Sequence, residues 1–124
     1  MDRTFLLIGA VVGFIGVGLG AFGAHGLRAR LSPESLNVFE TGVRYQMYHA
    51  FAILIVAIAL ARFDGWILRT AGWLFTLGIV LFSGSLYALA LTGTRAFGAI
   101  TPIGGLAFLA GWALLAWTAI ALAR

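Results

Sequence analysis

Four long apolar runs alternate with short polar breaks along the chain: residues 5–25, 43–61, 67–91 and 101–123 are built mainly from Leu, Ile, Val, Ala, Gly and Phe. At about 1.5 Å per residue, each run is long enough to cross a hydrocarbon core of about 30 Å as a helix. The breaks leave room only for tight reversals, so the pattern predicts an all-α integral membrane four-helix bundle made of antiparallel up-down hairpins. The longest polar stretch, near 28–46, is too short to bury a core of its own, which leaves one four-span membrane domain over 1–124.

Start and stop signals refine the boundaries. Ser32-Pro33-Glu34 reads as a helix start, with Ser32 as N-cap, Pro33 in the first turn and Glu34 favoured by the helix dipole. A helix from 33 to 61 would be about 44 Å long, so either Gly42 bends it or residues 33–42 form an interfacial extension of the second span. Arg62-Phe63-Asp64-Gly65 is a polar turn, and Trp66 with Arg69 anchors the third span at headgroup level. Thr101-Pro102 repeats the pattern of an N-cap followed by a first-turn proline ahead of the fourth span.

The first span has its own order. Gly9, Gly13, Gly16, Gly20 and Gly23 recur in steps of four and three, placing all five on one stripe where a neighbouring helix can approach closely. A short basic start, an apolar run and small residues at 21–24 also resemble a signal peptide. The apolar run is long for one, and the stripe continues to its end as a packing surface would, so an uncleaved helix is expected. In the third span Ala71, Gly78, Ser85 and Thr92 form a small-residue heptad, with a hydroxyl-bearing line at Thr76, Ser83 and Tyr87 roughly opposite. Gly104 and Gly111 supply a close-packing face in the fourth.

Composition agrees: 62% of the 124 residues are hydrophobic and 10% charged, with mean hydropathy +1.05. All eight basic residues are Arg and four acids oppose them. The cations are scattered at the span ends, not clustered among aromatics, which argues against a nucleic-acid partner and points to anionic lipid headgroups as the counter-charge. With no Cys there is no disulfide, thiolate metal site or thiol nucleophile. Four spans put both termini on one side. Arg3, Arg62, Arg69 and Arg124 share that side, against Arg28, Arg30, Arg44 and Arg95 on the other, a tie under the positive-inside rule. Discounting Arg44 as paired with Glu40 tips the tally towards cytoplasmic termini.

Polar chemistry is concentrated at 39–50. On a helix, Asn37, Glu40, Arg44 and Tyr48 share one side while Tyr45, Gln46 and His49 lie on the other. Unpaired polar groups in lipid cost several kcal/mol each, so the other three spans are expected to wrap both sides, with Glu40 forming an ion pair to Arg44 one turn on. Hairpin topology brings His25, Glu40, Arg44, Tyr45, Tyr48 and His49 to the same membrane face. Ser83, Ser85, Tyr87 and Thr101 arrive there from the third and fourth spans, giving a half-buried polar pocket.

Other chemistry fares worse. His25, His49 and Glu40 are three ligand types without the short spacing of a dedicated metal motif, and a haem held by both histidines would need His25 deep in the bundle, not at a helix end. Neither a metal nor a cofactor is expected. Ser83 and Ser85 lack a nucleophile-elbow context and no carboxylate pair survives, so no catalytic residue is assigned and an enzyme is not expected.

Four segments in order carry a resemblance: Gly-Ala-Phe-Gly-Ala-His-Gly-Leu at 20–27, Glu-Thr-Gly-Val-Arg-Tyr-Gln-Met-Tyr-His-Ala at 40–50, Phe-Ser-Gly-Ser-Leu-Tyr at 82–87 and Ile-Thr-Pro-Ile-Gly-Gly at 100–105. With these the chain resembles, over nearly its whole length, the domain of unknown function 423 family. These are small four-helix bacterial membrane proteins similar to eukaryotic transmembrane protein 256. The resemblance implies a bacterial inner (cytoplasmic) membrane location and brings no settled activity. From the residues themselves, the expected function is a lipid- or small-ligand-binding, transport-related bundle. The alternative is a structural or assembly subunit, and the glycine stripe leaves room for a homo-oligomer or a larger membrane complex.

Overall fold

The structure is a computed structural model that describes residues 1–122. Five α-helices follow one another: α1 (Arg3–His25), α2 (Pro33–Ala59), α3 (Trp66–Gly78), α4 (Gly84–Thr92) and α5 (Thr101–Leu122). A π-helical turn, Ile79–Ser83, joins α3 to α4 without a break, and a 3₁₀ turn, Arg95–Ala99, leads into α5. Four helices are thus long and apolar enough to cross a membrane: Arg3–His25, Pro33–Ala59, Trp66–Thr92 and Arg95–Leu122. No strand occurs among the described residues. The expected end of the fourth span at Ala123, and Arg124 in the charge tally, lie outside those residues.

The caps follow the local chemistry in part. Ser32 Oγ accepts from the Ser35 amide at 3.1 Å and Pro33 opens α2. Asp2 Oδ1 accepts from the Phe5 amide at 3.1 Å, a cap on α1 not anticipated. Gly93, at φ 70°, takes the left-handed conformation that ends α4. Thr101 departs from expectation. It is the first residue of α5 and not its N-cap, the Ile100 carbonyl accepts from the Ile103 and Gly104 amides, and the Thr101 hydroxyl meets Ser85 Oγ at 2.6 Å. That side-chain bond ties the fourth span to the third and leaves the helix start to the preceding 3₁₀ turn.

Packing is dominated by small residues meeting large ones. The glycine stripe of α1 lies along α2: a Cβ at Gly9 would meet Leu54, one at Gly16 would stand 2.5 Å from Met47 Sδ, and one at Gly23 would stand 2.9 Å from the Phe39 ring. Across the bundle α5 leans on α3 and the π turn, with Gly111 against Phe75 and Gly104 against the backbone of Phe82. α2 also packs along the third span, where Gly42 admits the Tyr87 ring. α2 therefore does not bend at Gly42. It runs unbroken for 27 residues, about 40 Å, so the expected interfacial extension and second span are one straight-through helix. Phe5, Ile53, Val56, Leu68 and Phe75 fill the core between the helices.

At the end of the bundle that holds the start of α1, the Asp2 amide donates to the Ala57 carbonyl at 3.1 Å. Arg69 Nη1 reaches Asp2 Oδ2 at 2.8 Å and Nη2 reaches Asp64 Oδ1 at 2.9 Å. The amide of Phe5, first, and then the Arg69 guanidinium hold the Asp2 carboxyl below the usual carboxylate range.

The expected Glu40–Arg44 ion pair is not formed. The ion pairs among the described residues are those of Arg69, and Asn37, Glu40, Arg44 and Tyr48 are all exposed on the outer side of α2. The other three spans thus wrap one polar side of this helix and not both. Glu40 and Arg44 lie in the part of α2 that overhangs a core of about 30 Å, where water and headgroups solvate them and an exposed pair gains little over separate ions. With that pair goes the ground for discounting Arg44, and the arginine tally returns to a tie.

Candidate functional site

The wrapped side of α2 carries a continuous polar thread through the bundle. Gln46 is the hinge of it: Nε2 donates to the Val12 carbonyl of α1 at 2.9 Å, and Oε1 accepts from the Tyr87 hydroxyl of α4 at 2.6 Å. Ser83 Oγ donates to the Gly42 carbonyl at 2.6 Å. These bonds occupy every polar atom the thread brings inside. No buried side-chain nitrogen or oxygen among the described residues lacks a partner.

Next to the thread, His49 closes a second arrangement. Trp112 Nε1 of α5 donates to His49 Nε2 at 3.0 Å, so that nitrogen is an acceptor and the proton sits on Nδ1, which donates to the Tyr45 carbonyl at 2.7 Å. The imidazole lies flat on Phe108, centroids 3.5 Å apart and planes within 7°. With both nitrogens engaged and both α5 aromatics against it, His49 is a packed connector between α2 and α5. Its lone pair is already used, and no cluster of three or more metal-ligating side chains exists among the described residues.

Outside this connector, α2 and α5 splay into an open groove of about 750 Å³. Tyr45, Tyr48 and His49 form one wall, Leu106, Leu109 and Trp112 the other, and Phe82 with Gly105 the floor. The π turn sits directly behind that floor. Gly104 approaches the Phe82 backbone so closely that no side chain would fit between them, while the Phe82 ring packs at 4.8 Å from Tyr45 and 5.3 Å from Phe108. The walls are almost wholly hydrocarbon. The polar groups left to them are the Tyr45 and Tyr48 hydroxyls, which make no hydrogen bond to another described residue.

The ten residues expected to share one pocket therefore divide. Tyr45, Tyr48 and His49 line the groove. Ser83 and Tyr87 belong to the buried thread, and Ser85 with Thr101 forms a separate clasp between α4 and α5. His25 is exposed at the end of α1, Glu40 lies on the surface beside Arg28 and Leu36, and Arg44 is exposed one residue before Tyr45. Two central residues were not anticipated as parts of the site, Gln46 and Trp112. A polar residue three positions before His49, on its side of the helix, was a readable signal for the first. Nothing local marks Trp112, whose partner is 63 residues away.

Comparison with known proteins gives the following likenesses. The model of the family described as "Protein of unknown function (DUF423)" matches residues 19–105. The UPF0382 membrane protein SH2409 of Staphylococcus haemolyticus is 50% identical, covering 91% of this chain and 92% of that one. The UPF0382 membrane protein YwdK of Bacillus subtilis is 46% identical over 95% of this chain and 97% of its own length. The UPF0382 inner membrane protein YgdD of Escherichia coli K12 is 46% identical over 99% and 94%. No solved structure matches.

Proposed function

Since this chain belongs to the DUF423 family of membrane proteins, and that family brings no activity with it, we propose from the site alone that the protein is a lipid-binding bundle whose α2/α5 groove takes the hydrocarbon chain of a membrane lipid. The observation that carries this reading is the groove itself: about 750 Å³, open sideways, and walled by Tyr45, Tyr48, Leu106, Leu109 and Trp112. That volume falls in the range of small-molecule sites, and a mainly apolar lining with a few polar groups is the usual composition of one. Burying alkyl surface there stabilises a bound chain by about 25 cal/mol per Å². A groove open to the bilayer needs no gate, and no polar group has to be dehydrated for the chain to enter. An inner-membrane location is part of the same reading, by likeness to the E. coli relative's name.

Gly105 offers the test. A Cβ there would meet only the Phe82 ring, at 3.9 Å, so Gly105→Trp fills the groove without forcing the helices apart. After mild detergent extraction, native mass spectrometry is expected to find about one retained lipid per wild-type chain and a marked loss in G105W at unchanged melting temperature. Equal retention in both, or a stoichiometric protein companion in place of lipid, overturns the reading in favour of a spectator surface or an assembly subunit.

A further inference from the structure

We infer that the groove selects a glycerophospholipid with an anionic headgroup, and that Arg44 is the residue that reads its phosphate. This rests on the lipid-binding reading above and goes beyond it by assigning a headgroup site. Depth comes first. Ser83 of the π turn bonds to Gly42 of α2, and Ser85 bonds to Thr101 at the start of α5, each at 2.6 Å. Following the helices from those two ties, Arg44 lies within about 6 Å in depth of the first residue of α5. α5 has 22 residues, about 33 Å, close to one hydrocarbon thickness. The start of α5, the upper end of the groove and Arg44 therefore share one level, the boundary between acyl chains and headgroups. Helical side chains slope towards the start of their helix, so the Arg44 guanidinium leans from that level towards the headgroups.

Charge follows. Arg44 is exposed, and among the described residues it makes neither an ion pair nor a hydrogen bond. Glu40, one turn away and the expected partner, leaves it free. Tyr48, four residues on from Arg44 and on the same side of α2, lines the groove, and its hydroxyl is unengaged beside Tyr45's. A free guanidinium above two phenols, at the mouth of a hydrocarbon slot, complements a phosphate above an acyl chain. Guanidinium meets phosphate through paired, charge-assisted hydrogen bonds. An extra negative charge on the headgroup favours binding further, because no carboxylate neutralises the arginine. A free phosphate ion would leave the groove empty and lacks the apolar contribution, so the occupant is a whole lipid.

The experiment loads purified protein with an equimolar mixture of phosphatidylglycerol and phosphatidylethanolamine of identical chains and reads the bound species by native mass spectrometry. Wild-type protein is expected to enrich phosphatidylglycerol. Arg44→Gln should lower the bound ratio of the two lipids about tenfold, the worth of one charge-assisted contact, while Arg44→Lys keeps most of the preference. Arg44 is exposed, so all three proteins should melt together. If R44Q binds the same ratio as wild type while G105W empties the groove, the headgroup assignment fails and the lipid reading stands. If G105W retains both lipids undiminished, the lipid reading fails and this inference with it.

Discussion

Gln46 shows what a single amide does when it is the only group able to satisfy two others. It accepts from Tyr87 and donates to Val12, so one side chain fastens α2 to both α1 and α4. Gln46→Leu keeps the size and removes both partners, leaving a phenol and a carbonyl without bonds in an apolar interior. The expected cost is about 1–3 kcal/mol for each group left unsatisfied, seen as a lower melting temperature in detergent. Adding Tyr87→Phe to Gln46→Leu should recover part of the loss, because the orphaned hydroxyl goes with it, and a double-mutant cycle on melting temperatures checks this. The residues of this region were legible as a polar block, and their division was not. Helical angles place Gln46 and His49 on one side and Glu40 and Arg44 on the other, but which side meets protein depends on where the neighbouring helices stand.

At the scale of elements, the α1 glycines were the most informative signal in the sequence, since a stripe without side chains has one common use and α2 fills it with Phe39, Val43, Met47, Ala50 and Leu54. The contrast within α1 gives a prediction. Gly16→Ile, which would put atoms on Met47 Sδ, should push α1 off α2 and lower the melting temperature by an amount typical of overpacking, about 1–3 kcal/mol. Gly18→Ala, where nothing lies within 4 Å, should leave it unchanged or slightly raised. The π turn was invisible beforehand. Ile79–Ser83 is ordinary apolar helix sequence, and a wider turn is a response to the backbone of Gly104 pressing on Phe82, a contact between residues far apart in the chain. The start of α5 misled for the same reason: Thr101 has the chemistry of a cap, but Ser85 competes for its hydroxyl.

For the whole molecule, the clasp of Asp2, Arg69 and Asp64 joins the start of α1 to the α2–α3 turn and to α3, and thus closes the bundle at one end. Its pH dependence follows from the lowered Asp2 carboxyl. A carboxylate that ionises more readily in the folded chain than in the unfolded one adds stability above the ordinary value of about 3.9, and this is lost as pH falls through the folded value. Asp2→Asn should therefore melt below wild type near neutral pH, with the gap narrowing on acidification below about pH 4. Melting curves across that range decide it. Four spans and their order were readable from hydropathy alone because bilayer thickness sets helix length. The clasp was not readable, since Asp2 and Arg69 look like ordinary flanking charges until the fold brings them together.

The helices are unequal, and a bilayer has to accommodate that. α2 at 27 residues stands about 40 Å tall, and α5 at 22 stands about 33 Å. Lipids against α2 meet a tall wall and those against α5 a shorter one, so the leaflet is drawn thinner along the α5 flank at a cost of a fraction of a kcal/mol per Å of mismatch. The molecule is thereby a gauge of membrane thickness, settling where sheets of lipid are thin and tilting where they are thick.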